Sequence, residues 1–241
     1  MGKHTKPHQR VPVVRFSHSM AFIAYLREFG APADIYLGKS KLPTLCEDPN
    51  SLIHVKRMYT FLATAAHREE PLLGWLVGEK AGDSQLAAAL RRRLESAPTL
   101  LMALRGLVSL VRSETSTIDV GLKERAREFV FYTQYPKMRG AIGYEVGQAY
   151  QISVFMSVVR LFLGKHWTPA EMGLECERTT HDLAEKLPAF SFAPQSPFGY
   201  FTIPKPCLSS SIGRGSNGQA ASTDLRTIDE IGELELMRLL L

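Results

Sequence analysis

The sequence predicts an α+β fold in which a helical N-terminal half is followed by a mainly antiparallel sheet that packs on helices. Three patterns lead to this prediction. Apolar residues recur with the 3.6-residue period of helices before residue 115, and the period changes to two at Thr117. A long apolar segment then separates the predicted strands, which gives the order β-β-α-β-α-β-β.

Four or five helices are expected in the first half. The first has an apolar face over residues 22–29 and ends at Gly30. Asp48 and Pro49 are typical of a helix N-cap and first turn, and the apolar period that follows them continues to Ala66. A short apolar stretch covers residues 72–77. Two further helices are expected over residues 83–90 and 100–111.

The first strands are expected after Thr117. Ile118, Val120 and Leu122 alternate with polar neighbours, and the alternation resumes over residues 129–135 after the charged turn KERARE. Two alternating runs joined by a short polar turn predict a β-hairpin.

Residues 144–164, YEVGQAYQISVFMSVVRLFLG, predict the central buried helix. Glu145, Gln148, Gln151 and Arg160 interrupt this segment, so it is not expected to span a membrane.

The last elements are shorter. Residues 171–177 alternate between apolar and mainly acidic, which predicts a strand whose Glu171, Glu175 and Glu177 face water. A short helix is expected from Thr180 to Leu187, and the sequences FSFA and GYFTIP predict two closing strands.

Charge is concentrated in the N-terminal tail. The net charge of the 241 residues is +5. Residues 1–18 contain Lys3, Lys6, Arg10 and Arg15 and no acidic residue, so the rest of the chain sums to about +1. A body this close to neutral lacks the basic face that a DNA-binding domain uses to neutralise phosphates.

Composition shifts divide the chain into four parts. Residues 1–15 are expected to be a basic disordered tail, residues 16–208 a globular domain, and residues 209–223 a Ser/Gly-rich linker. Residues 224–241 are expected to start a further helix that folds back or pairs with a second copy. The apolar stripe of that helix comprises Ile228, Ile231, Leu234, Met237 and Leu241.

No catalytic, metal or cofactor motif is complete. Cys176 with His181 is one ligand pair where a metal needs three or four ligands. The phosphate-loop and G-x-G-x-x-G matches lie outside the strand-to-helix context they require, and there is no G-x-S-x-G elbow. We therefore expect no metal, no cofactor and no enzyme. Three widely spaced cysteines favour a reducing cytoplasm.

Aromatic and hydroxyl-bearing side chains on the hairpin and the central helix are the candidate ligand-binding residues. Such a set is typical of pockets for small amphipathic molecules, although the same rings could instead form the core. Arg160 is the candidate charged group for an acidic ligand. The set comprises Phe129, Phe131, Tyr144, Tyr150, Phe155 and Arg160.

Five segments between about residues 40 and 210 resemble a known family. These are LCEDPNSLIHVKRMYTFLATAAHREEPLLGWLVGEKAGD, SAPTLLMALRGLVSLV, FVFYTQYP, GYEVGQAYQISVFMSVVRLFLGKHWTPAEMGLE and GYFTIPKPCL. In this order they are similar to the N-terminal, arabinose-binding-like effector domain of AraC-type transcriptional regulators. Gly164, Trp167 and Pro169, in a G-x-x-W-x-P pattern, contribute most to the resemblance.

The resemblance implies a domain that senses a small-molecule effector and supports a homodimer, with residues 16–208 as the regulatory domain. It also implies that DNA is contacted only through a separate C-terminal helix-turn-helix domain, which this chain is expected to lack. Two alternatives remain open from the residues: an enzyme or carrier that uses the same aromatic pocket, and a dimerisation module without a ligand.

Overall fold

The computed structural model describes residues 12–45, 48, 51–83, 97–114, 118–136, 138–193 and 195–212. The helices are α1 (Ser17–Glu28), α2 (Ala33–Lys39), α3 (Val55–Arg68), α4 (Leu73–Asp83), α5 (Leu100–Glu114), α6 (Tyr144–Leu163) and α7 (Glu177–Lys186). The strands are β1 (Val13–Arg15), β2 (Leu52–His54), β3 (Asp119–Glu124), β4 (Glu128–Gln134), β5 (Met172–Gly173) and β6 (Gly199–Pro204), and a 3₁₀ helix covers Lys205–Ser209.

Two antiparallel sheets are present in the described residues. The larger has the strand order β3-β4-β6-β5, and the smaller pairs β1 with β2. The mixed architecture, with helices first and the four-stranded sheet after them, confirms the predicted α+β class.

Helix α6 is the centre of the domain. It contacts α3 and α4 as well as strands β4 and β6, so it lies between the helical half and the sheet. By length and composition α6 could cross a membrane, but 72% of its apolar window is buried inside the protein, as in the core helix of a soluble domain.

Glycines bring α4 unusually close to α6. A Cβ atom built on Gly74 would lie 2.0 Å from the carbonyl oxygen of Val146, and one on Gly78 would lie 2.7 Å from the carbonyl oxygen of Tyr150. Only residues without a side chain allow the two backbones to approach this closely. The spacing of four residues places both glycines on one face of α4.

Several element boundaries differ from the prediction. The helix expected from Asp48 begins at Val55, because Leu52–His54 pair with β1 instead. His54 then caps the helix, since its Nδ1 accepts a hydrogen bond from the Lys56 backbone N–H at 3.1 Å. The first closing strand, FSFA, is reduced to one bridge between Phe192 and Met172. Pro188, which precedes FSFA, limits its ladder, since proline cannot donate a backbone hydrogen bond.

The strand expected over residues 171–177 is also shorter. It covers only Met172–Gly173, because Cys176 already occupies the N-cap position of α7. At the N-terminal boundary, the last residues of the predicted tail form β1. Three predicted segments lie outside the described residues: residues 1–11 of that tail, the helix over residues 83–90 beyond its first residue, and the stripe from Ile228 to Leu241.

Trp167 lies in the connection between α6 and β5. Its ring is half-buried and meets Phe201 edge-on, with 6.3 Å between ring centroids. Its carbonyl oxygen accepts a hydrogen bond from Arg160 Nε at 3.1 Å. The ring therefore covers the edge of the core without being enclosed by it.

Replacing Trp167 by Ala is expected to lower the free energy of unfolding by about 2 kcal/mol, below the 3–5 kcal/mol typical of an enclosed aromatic ring. Trp75, only 2% exposed, is the matched comparison, and Trp75→Ala should reach that higher range. Urea denaturation followed by circular dichroism measures both losses. Equal losses for the two variants would contradict this difference in burial.

Candidate functional site

A pocket of about 500 Å³ opens at the N-terminal end of α6. Three parts of the chain enclose it: the turns that precede α6 together with its first residues, the connection from β5 to α7, and the loop before β6. Its lining comprises Arg139, Gly140, Ala141, Ile142, Tyr144, Glu145, Glu175, Cys176, Ser196 and Pro197.

The start of α6 is fixed by close packing against α3. Gly143 caps α6 in the left-handed conformation, with φ of 81°. A Cβ atom at Gly143 would lie 2.1 Å from the carbonyl oxygen of Tyr59, so a larger residue would push α6 away from α3. The next residue, Tyr144, meets Tyr59 and Tyr135 edge-on at centroid distances of 6.3 and 5.8 Å.

Glu175 is the hub of the polar contacts in the pocket. Its side chain is only 8% exposed. Oε2 accepts from Arg139 Nε at 2.7 Å, while Oε1 accepts from the Tyr144 hydroxyl and, at 3.1 Å, from Gln148 Nε2. The Glu175 amide donates to Gln148 Oε1 at 2.8 Å, so the glutamine holds both the backbone and the side chain of Glu175.

Arg139 connects two walls of the pocket. Besides its ion pair with Glu175, it donates through Nη2 to the carbonyl oxygen of Pro197. The guanidinium thus links the turn before α6 to the loop before β6. Its side chain remains 56% exposed.

The tyrosines beside the pocket are held in their protonated form. Burial, with the hydrogen bond to Glu175 as the second cause, raises the pKa of Tyr144 well above its ordinary value. Burial also raises the pKa values of Tyr59 and Tyr135. The Tyr144 hydroxyl therefore serves as a hydrogen-bond donor rather than as a base or nucleophile.

The residues predicted to bind a ligand do not come together in one place. Tyr144 lines the pocket, but Phe131 packs against Phe155 and Phe201 with centroid distances of 5.0 and 5.3 Å. Phe129 is half-buried on β4, with Lys205 Nζ 6.0 Å from its ring centroid. Ligand binding by the phenylalanines stays a prediction.

Tyr150 and Arg160 lie elsewhere on α6. The Tyr150 ring contacts Phe22 of α1 at a centroid distance of 4.9 Å. Arg160 lies 3.8 Å from Glu79 of α4. Sixteen residues separate Arg160 from Tyr144, about 24 Å along a helix, so one small ligand cannot contact both.

The sequence pattern did not assign Arg139, Gln148 or Glu175, which connect the pocket walls, to a ligand site. Glu175 was expected on a water-facing strand, whereas its side chain lies largely buried against α6. The available signal was Gln148, a polar interruption in an otherwise apolar helix. A buried amide needs a hydrogen-bonding partner, so this position indicated a polar group facing α6.

Metal binding gains no support from the geometry. Within the ranges that the structure describes, no group of three or more His, Cys, Asp or Glu side chains is arranged to hold a metal ion. The polar groups among the described residues of the pocket lining are one guanidinium, two carboxylates, two hydroxyls and a thiol.

Comparison with known proteins gives two findings. Residues 30–196 match a family model described as the arabinose-binding domain of AraC transcription regulator, N-terminal. The fold is similar to the crystal structure of the transcriptional regulator CdpR from Pseudomonas aeruginosa, with a TM-score of 0.51 and 17% sequence identity. That match covers 78% of this chain and 58% of the CdpR chain. No curated protein sequence gives a significant match.

Proposed function

The chain belongs to the family of N-terminal arabinose-binding domains of AraC transcription regulators, and on this premise we propose that it senses a small-molecule effector in the pocket beside Glu175. The pocket volume of about 500 Å³ lies within the range of about 300–1,000 Å³ for small-molecule sites. Charged groups of both signs lie there next to apolar wall residues, which suits a small amphipathic ligand.

The observation that supports this proposal best is the position of the pocket between separate elements. A ligand bound there contacts the start of α6, the connection into α7 and the loop leading into β6. Binding therefore changes how these elements are held together, and differential contacts of this kind are what a regulatory ligand requires.

The partners follow from the same proposal. We propose that the domain acts as a homodimer in the cytoplasm and that DNA is bound through a separate domain. This chain spans 58% of the CdpR chain, and the stripe proposed for dimer or linker contacts, from Ile228 to Leu241, lies beyond the described residues.

Narrowing the pocket mouth is expected to weaken effector binding. Ile142 lies at the rim with 77% of its surface exposed, so Ile142→Trp adds bulk over the opening without disturbing the core. Ligand-detected NMR with a library of fragment-sized compounds identifies binders of the wild-type chain. These compounds should lose at least about tenfold in affinity for Ile142→Trp, a loss of about 1.4 kcal/mol.

Ile35→Trp is the matched control, because Ile35 is an exposed isoleucine of α2 outside the pocket lining. Binding should be unchanged in this variant. Fragments that bind both tryptophan variants as tightly as the wild-type chain would place the ligand site elsewhere and contradict the proposed function.

A further inference from the structure

The charge of the pocket is not balanced. Of its lining residues, Glu145 and Glu175 are acidic and Arg139 is basic, which leaves a formal charge of −1. Arg139, the single basic residue among the described residues of the lining, is already engaged with Glu175 and with the Pro197 carbonyl. A ligand that enters this pocket therefore meets more acidic than basic side chains.

The two members of the Arg139–Glu175 ion pair differ in how firmly they are held. The Glu175 carboxylate keeps its hydrogen bonds from Tyr144 and Gln148 independently of Arg139. The backbone N–H of Glu175 also keeps its hydrogen bond to Gln148 Oε1. Arg139 is more than half exposed and lies in a series of turns, next to Gly140 with φ of 74°. The exposed guanidinium can be hydrated when it leaves the ion pair, whereas the buried carboxylate stays in place, so Arg139 is the exchangeable member.

We infer that the effector is a small organic cation, an amine or guanidine, whose charged group replaces the Arg139 guanidinium on Glu175. The buried carboxylate supplies the acceptor, and charge-assisted hydrogen bonds to it are stronger than neutral ones. Ala141, Ile142 and Pro197 supply apolar contacts for a short aliphatic body. This inference rests on the proposed function, since it specifies the ligand of the same pocket.

Exchange of the cation has a consequence for the protein. When the guanidinium leaves Glu175, the turn before α6 loses its ion pair to the connection between β5 and α7. The ligand then holds Glu175 in place of Arg139. The bound and free states thus differ in a defined contact.

Four probes with short unbranched alkyl chains test the inference on the full chain: n-butylguanidinium, n-butylammonium, butyrate and 1-butanol. Isothermal titration calorimetry and NMR shift changes at the pocket residues measure binding. The two cations should bind and the other two probes should not.

Arg139→Ala removes the competing group and lowers the formal charge of the lining side chains to −2, so cation affinity should rise at least about fivefold.

Glu175→Gln should lower cation affinity at least about tenfold, since the amide offers the cation no charge. Arg105→Ala, an exposed arginine of α5 outside the lining, should change nothing. If Glu175→Gln does not fold, the rise expected for Arg139→Ala still decides the question.

Three results would overturn the inference: preferential binding of butyrate or 1-butanol at the pocket, unchanged or weaker cation binding in Arg139→Ala, or no binding of any probe. None of these removes the proposed effector pocket, which the comparison of Ile142→Trp with Ile35→Trp tests separately.

Discussion

Gly74→Ala is expected to lower the free energy of unfolding by about 3 kcal/mol, although alanine is the better helix former. The new methyl carbon would lie 2.0 Å from the carbonyl oxygen of Val146 and 2.9 Å from its carbonyl carbon. Both are backbone atoms of α6, so no rotamer change removes the clash. Helix α4 has to move away from α6 along the interface that Gly74 and Gly78 form.

Gly106→Ala is the matched control for this substitution. Gly106 lies inside α5, and a Cβ atom there meets nothing within 4 Å. The free energy of unfolding of Gly106→Ala should therefore rise by about 0.5–1 kcal/mol, because alanine lowers the backbone entropy of the unfolded chain. Urea denaturation of the two variants should show shifts of opposite sign. A Gly74→Ala variant as stable as Gly106→Ala would show that α4 and α6 are not in close contact.

The α4–α6 contact also matters for the pocket. Val146 lies two residues after Tyr144, so a displacement of α4 acts on the first turn of α6, where Tyr144 and Glu145 line the site. We expect effector affinity to fall in Gly74→Ala even where the variant remains folded. Stability and binding are thus coupled through the same helix.

The same glycines explain why α4 was not predicted as a helix. Residues 72–77 read only as a short apolar stretch, because Gly74 and Gly78 lower intrinsic helix propensity. The helix forms because its small-residue face packs on α6, a tertiary contact that a local pattern does not reveal. By contrast, the period change at Thr117 and the apolar run from Tyr144 predicted the hairpin and α6 correctly.

The pocket was harder to predict than the fold for a related reason. Arg139, Gln148 and Glu175 are separated by 9 and 27 residues, and pairing of β5 with β6 and packing on α6 bring them together. Aromatic composition predicted only Tyr144 among the lining residues. Rings such as Phe131 and Phe155 have the same sequence pattern whether they border a cavity or pack against each other.

Acid should destabilise the domain through a buried histidine of α1. The side chain of His18 is only 6% exposed, and this burial, with the positive charge of Arg15 as the smaller cause, lowers its pKa to about 3. An unfolded histidine has a pKa of about 6.5. Between these two values the unfolded chain binds a proton that the folded chain does not bind, so stability decreases as the pH falls below about 6.5.

Between pH 7.5 and pH 4.5, His18 is expected to lower the free energy of unfolding by about 3 kcal/mol. This figure follows from about 1.4 kcal/mol for each pH unit below about 6.5. Urea denaturation across this pH range measures it, and His18→Gln should remove this part of the pH dependence because glutamine does not titrate. His181→Gln is the control, since the His181 side chain is 69% exposed on α7. A wild-type profile that His18→Gln leaves unchanged would mean that His18 takes up its proton in the folded domain, and that α1 opens to water around it.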